Sequence, residues 1–206
     1  MEEQPPCFGI DDVEIIDEVK GYAGFFRLNT YKLRHRLIKG GWSHELHREC
    51  FIRPPAVAVL LYDPYEDKVV LIEQFRIGAL WEMAGPWSME LVAGIVGPGE
   101  DKADVAHRET KEEAGCEVLE LEYICEYLSS PGASSEKVSL YVGGIDSKGV
   151  GGRHGLAHEG EDIWVQNYSR IEAWKAFEEG YINNAATIIA LQWLQSNYQR
   201  LQDQWR

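Results

Sequence analysis

The stretch Gly94–Cys116, GIVGPGEDKADVAHRETKEEAGC, limits what this chain can fold into more than any other. Its opening holds Gly94, Gly97 and Gly99 and reads as a tight loop. From Asp101 to Ala114 the pattern predicts a helix, with Asp101 able to cap it and Gly115 standing where helices commonly end. On that helix Glu109 and Glu113 are one turn apart, and Glu109 and Glu112 nearly so. Three carboxylates on one face repel each other. Either that face is solvated, as acidic helix faces commonly are, or a cation relieves the repulsion; clustered carboxylate oxygens suit Mg²⁺ or Mn²⁺.

The rest of the chain supplies the frame for this segment. Residues 1–11 read as a loose start, with Pro5-Pro6 blocking regular structure. Strand-like runs follow near 12–20, 25–38 and 42–52, with a hairpin turn at Gly40-Gly41. A sheet of so few strands is marginal alone, so it packs on the rest of the chain or on a second copy. Pro54-Pro55 marks a boundary, which divides the chain into an N-terminal antiparallel sheet, 1–52, and a second domain, 53–206. In the latter, Ala56–Tyr62 is a continuous apolar run, as expected of a strand buried on both faces. Strands are expected at Lys68–Gln74 and Trp87–Ala93, and again near 117–128, 137–145 and 163–168. The segment between the first two, Ile77–Pro86, reads as a loop whose Trp81 either packs or meets a ligand. Gly149–Gly160 reads as a glycine-rich mobile segment. Ser169-x-x-Glu172 opens a helix that ends near Gly180, and Asn184 starts a last one. Strands and helices mixed in this order suggest an α/β/α sandwich.

With 206 residues the chain is long enough for one sizeable core, and its net charge of −14 argues against binding a nucleic-acid backbone. Cys7, Cys50, Cys116 and Cys125 show no CxxC spacing, and neither a signal peptide nor a membrane-length apolar run is evident. The expectation is a reduced, cytoplasmic protein without a membrane partner.

Gly94, five residues, Glu100, seven residues, then Arg108-Glu109-x-x-Glu112-Glu113-x-Gly115 resembles the Nudix box, Gly-x5-Glu-x7-Arg-Glu-U-x-Glu-Glu-x-Gly-U with U aliphatic. Thr110 and Cys116 depart at the two U positions, and both are small enough to pack. The resemblance implies a layered α/β fold around a mixed sheet and hydrolysis of a diphosphate with Mg²⁺, or Mn²⁺, as cofactor. It implies Glu109, Glu113 and the backbone carbonyl of Ala93 as metal ligands, with Glu112 close behind. Arg108 is expected to orient a box carboxylate, such as Glu100, and the resemblance implies Glu159, Arg108 and Glu112 as the catalytic set.

The likeness narrows to the ADP-ribose pyrophosphatases of that family. Pro131, fifteen positions beyond Cys116, resembles a marker of that subfamily, although Pro-Gly is also an ordinary turn. Ile72-Glu73-Gln74-x-Arg76 and Asn184-Ala185-Ala186 extend the likeness over nearly the whole chain. In such enzymes a loop after the box delivers a glutamate base. Glu159 in His154–Asp162 fits that role, Glu161 would approach a metal, and His158 is the rival base. By the same resemblance the chain would be a homodimer cutting ADP-ribose to AMP and ribose 5-phosphate; the alternatives are another small nucleoside-diphosphate sugar, such as a GDP-sugar, or a nucleotide-binding Nudix protein without catalysis. Phe25 would stack on adenine with Arg48 near it, Arg76 would pair with a phosphate, and Glu136 would face the site. The structural alternatives are Phe25 in the sheet core and Arg48 and Arg76 in surface ion pairs.

Overall fold

The computed structural model describes residues 7–156, 158 and 160–206. The chain divides into two units, one holding the described residues up to Pro54 with Leu128–Glu136, the other Pro55–Tyr127 with Lys137–Arg206. The first is an antiparallel sheet of β1 (Val13–Ala23), β2 (Arg27–His35) and β3 (Leu46–Ile52), in that order. Gly40 and Gly41, with φ of 89° and 77°, turn the chain between β2 and β3, a conformation that favours glycine. Cross-strand ion pairs such as Arg34–Glu14, 2.6 Å, support the sheet. Leu128–Glu136 docks on β3 through its backbone: Phe51 N donates to Ala133 O and Ser135 N to Phe51 O. β1 is exposed along its whole length, with Ile15 56% and Val19 53% exposed. The alternation read in Val13 and Ile15 therefore has nothing to pack against within this unit.

The second unit is built on β4 (Ala56–Asp63) and β5 (Lys68–Phe75). Successive β4 side chains point to opposite faces, and both faces are covered. Val57, Val59 and Leu61 join one core with Val70 and Ile72 of β5, while Ala58, Leu60 and Tyr62 join the other with Val69 and Leu71. Helix α1 (Lys102–Ala114) closes the first core through Val105, Ala106 and Ala114. Helices α2 (Arg170–Glu178) and α3 (Ala185–Trp205) close the second through Ala173, Ala190, Leu191, Leu194 and Leu201. The remaining strands are β6 (Trp87–Glu90), β7 (Val92–Ile95), β8 (Glu120–Leu128), β9 (Lys137–Gly144), β10 (Gly152–His154) and β11 (Ile163–Ser169). The order is β10-β11-β5-β4-β9-β8, and β4 runs parallel to β9 but antiparallel to β5, so the sheet is mixed. An α/β/α sandwich around a mixed sheet is thus the fold of this unit.

Two expectations need correction. Trp87–Ala93 is two strands, not one. β4 and β5 pair only where Leu61–Asp63 meets Lys68–Val70; beyond that, β6 pairs with β5 and β7 with β4. The chain changes partner at Leu91, which is buried between them. Gly149–Gly160 is not loop throughout, because β10 forms inside it and pairs with β11. Ile77–Pro86 is a loop with one short 3-10 turn, Ile77–Ala79, and Trp81 is 89% exposed rather than packed.

Candidate active site

The partner switch at Leu91 brings the backbone of Ala93 and Gly94 against α1. Asp101 accepts from the backbone N–H of Ala103 (2.8 Å) and Asp104, fixing where the helix starts. Gly115 ends it with φ of 66°. Between these ends, Glu113 accepts a hydrogen bond from Ala93 N at 2.9 Å, and the Glu109 carboxyl fills the space where a side chain on residue 94 would be. A Cβ at residue 94 would overlap that carboxyl and displace it. Gly115 meets a second constraint, since a Cβ on it would overlap the His154 ring. β10 thereby rests on the end of α1 and starts the 155–162 loop from there.

Glu113 is 3% exposed, and the Glu109 side chain 13%. Burial pushes Glu113 up to about 8; the Ala93 N–H opposes this, Glu109 and Glu161 add to it, and Arg76 opposes it. Burial likewise pushes Glu109 up to about 7, against Arg108 and with help from Glu112 and Glu161. Arg108 is the cation closest at hand, with Nη1 at 2.8 Å from Glu109 and 3.2 Å from Glu112. Glu100 is more distant from it, 3.8 Å from Nη2, and instead accepts from Gly97 N at 2.7 Å. Arg108 therefore orients Glu109 and Glu112 more closely than Glu100.

Among the described residues, no three His, Cys, Asp or Glu side chains converge into a ready-made cation cage. The fit to a divalent cation rests on the donor set: hard carboxylate oxygens, buried, mutually repelling and raised in pKa chiefly by that burial. Glu161 acts electrostatically on both glutamates, and its Oε2 accepts from Leu156 N at 3.0 Å. Arg76 is held by Glu90, Nε to Oε2 at 2.9 Å, and is within electrostatic reach of Glu113 and Glu161. One unit thus gathers Ala93, Arg108, Glu109, Glu112, Glu113, Glu161 and Arg76. Glu159, expected as the base, lies outside the described residues.

The other expected residues fall in the N-terminal unit. Phe25 is 85% exposed beside Phe26, 4.7 Å between ring centroids, so it is not in a sheet core. Arg48 is exposed on β3 and donates to the His47 carbonyl at 2.8 Å. Glu136 is paired with Arg53 at 2.7 Å, and the Arg53 guanidinium stacks 4.1 Å above the Phe26 ring. The roles of Glu90 and His154 were not legible in the sequence: Glu90 lies opposite Ile72 through β5–β6 register, which no single segment reveals, and His154 had no signal short of the contact itself.

A mixed sheet between helices, with a carboxylate-bearing helix pinned to a glycine loop, defines a NUDIX domain. That family description matches residues 52–176, and the chain belongs to the Nudix family. It is 49% identical over 201 residues to the ADP-ribose pyrophosphatase of Escherichia coli strain K12, covering 98% of this chain and 96% of that one. It is 44% identical over 202 residues to the ADP-ribose pyrophosphatase of Haemophilus influenzae, covering 97% and 93%. A crystal structure of an ADP compounds hydrolase superposes with a TM-score of 0.69 at 19% identity, over 93% of this chain and 98% of that one, a likeness of fold.

Proposed function

We propose that this chain hydrolyses the diphosphate of ADP-ribose to AMP and ribose 5-phosphate. What carries the reading is the likeness to ADP-ribose pyrophosphatases, which runs the length of the chain and so includes the N-terminal unit as well as the box. Nudix hydrolases generally need a divalent metal, and we take it to be Mg²⁺, with Mn²⁺ able to replace it. When bound, the metal neutralises phosphate oxygens and lowers the pKa of water. Glu109, Glu113, Glu161 and the Ala93 carbonyl would hold it. Arg108 keeps Glu109 and Glu112 in place from the helix surface.

Arg76 has a guanidinium suited to a phosphate oxygen. Glu159 is assigned as the base that takes the proton from the attacking water, with His158 as the rival. Phe25 and Arg48 offer a ring and a guanidinium plane for adenine, and Glu136, fixed by Arg53, offers a carboxylate for sugar hydroxyls. The exposed apolar side chains of β1 support a homodimer with a shared site. A net charge of −14 supports a small-molecule substrate over nucleic acid. Four free cysteines agree with a reducing cytoplasm.

The test is a panel of nucleoside-diphosphate sugars, each with Mg²⁺ or Mn²⁺, with products identified by mass. ADP-ribose is expected to give the highest kcat/KM. A GDP-sugar turned over faster than ADP-ribose would overturn the substrate assignment while leaving the metal chemistry intact.

A further inference from the structure

The strand ladder beside the carboxylate cluster carries a second set of polar groups. Val70 and Ile72 of β5 face the α1 core. Period-two alternation puts Gln74 on the same face, and Arg76, still extended at φ −128° and ψ 114°, continues the series. The antiparallel register sets Ile72 against Glu90 and Gln74 against Ser88, so Glu90 and Ser88 share that face too. Here the sheet turns from apolar to polar.

Arg76 reaches Glu90 through two of its nitrogens, and both meet a single oxygen: Nε at 2.9 Å and Nη2 at 2.8 Å from Oε2. The Glu90 side chain is 14% exposed and that of Arg76 45%, so the carboxylate is the buried anchor and the guanidinium its open end. Other acidic groups lie within electrostatic reach, since the charges of Glu113 and Glu161 also act on Arg76. Arginine is a long side chain that stays charged and pairs readily with carboxylates. Released from Glu90, it would turn to the carboxylates assigned to the metal. Gln74 adds an independent sign that this face awaits a ligand. It is 7% exposed, and its Nε2 is buried without a hydrogen-bond partner.

We propose that Glu90 is a positioning residue that holds the Arg76 guanidinium away from Glu113 and Glu161, keeping those carboxylates open to a divalent cation and the guanidinium open to a substrate phosphate oxygen. The phosphate half rests on the proposed ADP-ribose hydrolysis, and the metal half on the proposed metal ligation by Glu113 and Glu161. One residue thereby keeps two opposite charges available side by side. A merely structural Glu90 would predict neither effect.

The experiment measures Mn²⁺ affinity by electron paramagnetic resonance on full-length, substrate-free protein, together with KM and kcat for ADP-ribose. The variants are Glu90→Gln, Arg76→Met and the two combined. Glu90→Gln is expected to weaken Mn²⁺ binding by about tenfold and to raise KM by a similar factor. Arg76→Met should raise KM but leave Mn²⁺ binding equal or tighter. In the double variant Mn²⁺ affinity should return to the wild-type value while KM stays high.

Mn²⁺ binding that is equally weak in Glu90→Gln and the double variant would overturn the proposal, because Glu90 would then act on the metal directly. Weaker Mn²⁺ binding in Arg76→Met would overturn it as well, and that variant leaves Glu90 untouched should Glu90→Gln fail to fold. If ADP-ribose is not turned over by wild-type protein, the proposed function fails, and the Mn²⁺ measurements still decide the role of Glu90.

Discussion

Gly94 has no side chain because Glu109 occupies the space beside it. Gly94→Ala leaves the backbone conformation accessible, so its effect is local: it displaces the Glu109 carboxyl. A shift of about 1 Å at such a group costs roughly 10²-fold in rate. The expected result is a kcat lowered by about that factor in a folded protein, read by steady-state kinetics and circular dichroism. Near-normal kcat would separate Gly94 from the site.

Glu109 and Glu113 also set a pH dependence. In an unfolded chain a glutamate titrates near about 4.3, whereas in the fold Glu109 is raised to about 7 and Glu113 to about 8. The folded state therefore binds more protons between these limits. The metal-free protein should lose stability as pH rises through them, from about 5 to about 8. In the proposed function a divalent cation would bind the deprotonated pair and relieve their repulsion. The gain in Tm on adding Mg²⁺ should accordingly be larger at about pH 8 than at about pH 6. An equal or smaller gain at the higher pH would contradict the assignment of these two as ligands.

At the scale of elements, what the sequence made legible was local. Asp101 and Gly115 bracket α1 because capping is decided by a few adjacent residues, and Ser169 and Asn184 begin α2 and α3 for the same reason. The two-faced burial of β4 could be read from its unbroken apolar run. The break at Leu91 could not, because it arises from the divergence of β4 and β5, a property of paired strands rather than of one segment. The pairing of Arg76 with Glu90 was hidden for the same reason, since it depends on β5–β6 register. Three-residue β10 was invisible within its glycines, which carry no alternation to read.

In the proposed function, Glu159 is the base and Glu161 a metal ligand, two residues apart in the sequence. Among the described residues, His154 is seated on Gly115 and Leu156 N donates to Glu161. Glu159→Gln is expected to lower kcat by roughly 10²–10⁴-fold, the usual range for a lost general base, with a smaller change in KM. His158→Ala tests the rival. Loss of turnover in His158→Ala beside near-normal kcat in Glu159→Gln would exchange the two roles.

At the scale of the molecule, β1 leaves Val13, Ile15, Val19 and Tyr22 exposed on a sheet too thin to stand alone. A second copy that buries this strand would account for them. Light scattering is expected to give twice the 23.4 kDa of one chain, and Val19→Asp should shift the mass toward the monomer with loss of activity. A wild-type monomer with full activity would rule out the shared site.

In the proposed function, α1 presents Glu109 and Glu113 to a divalent metal for hydrolysis of ADP-ribose. The most direct measurement is turnover of ADP-ribose by wild-type and Glu113→Gln protein, with chelator and then across a Mg²⁺ titration, with products identified by mass. Expected are AMP and ribose 5-phosphate from the wild type only when metal is present, and loss of most activity in Glu113→Gln with the fold retained. Full turnover in chelator, or a Glu113→Gln variant as active as the wild type at every metal concentration, would contradict it.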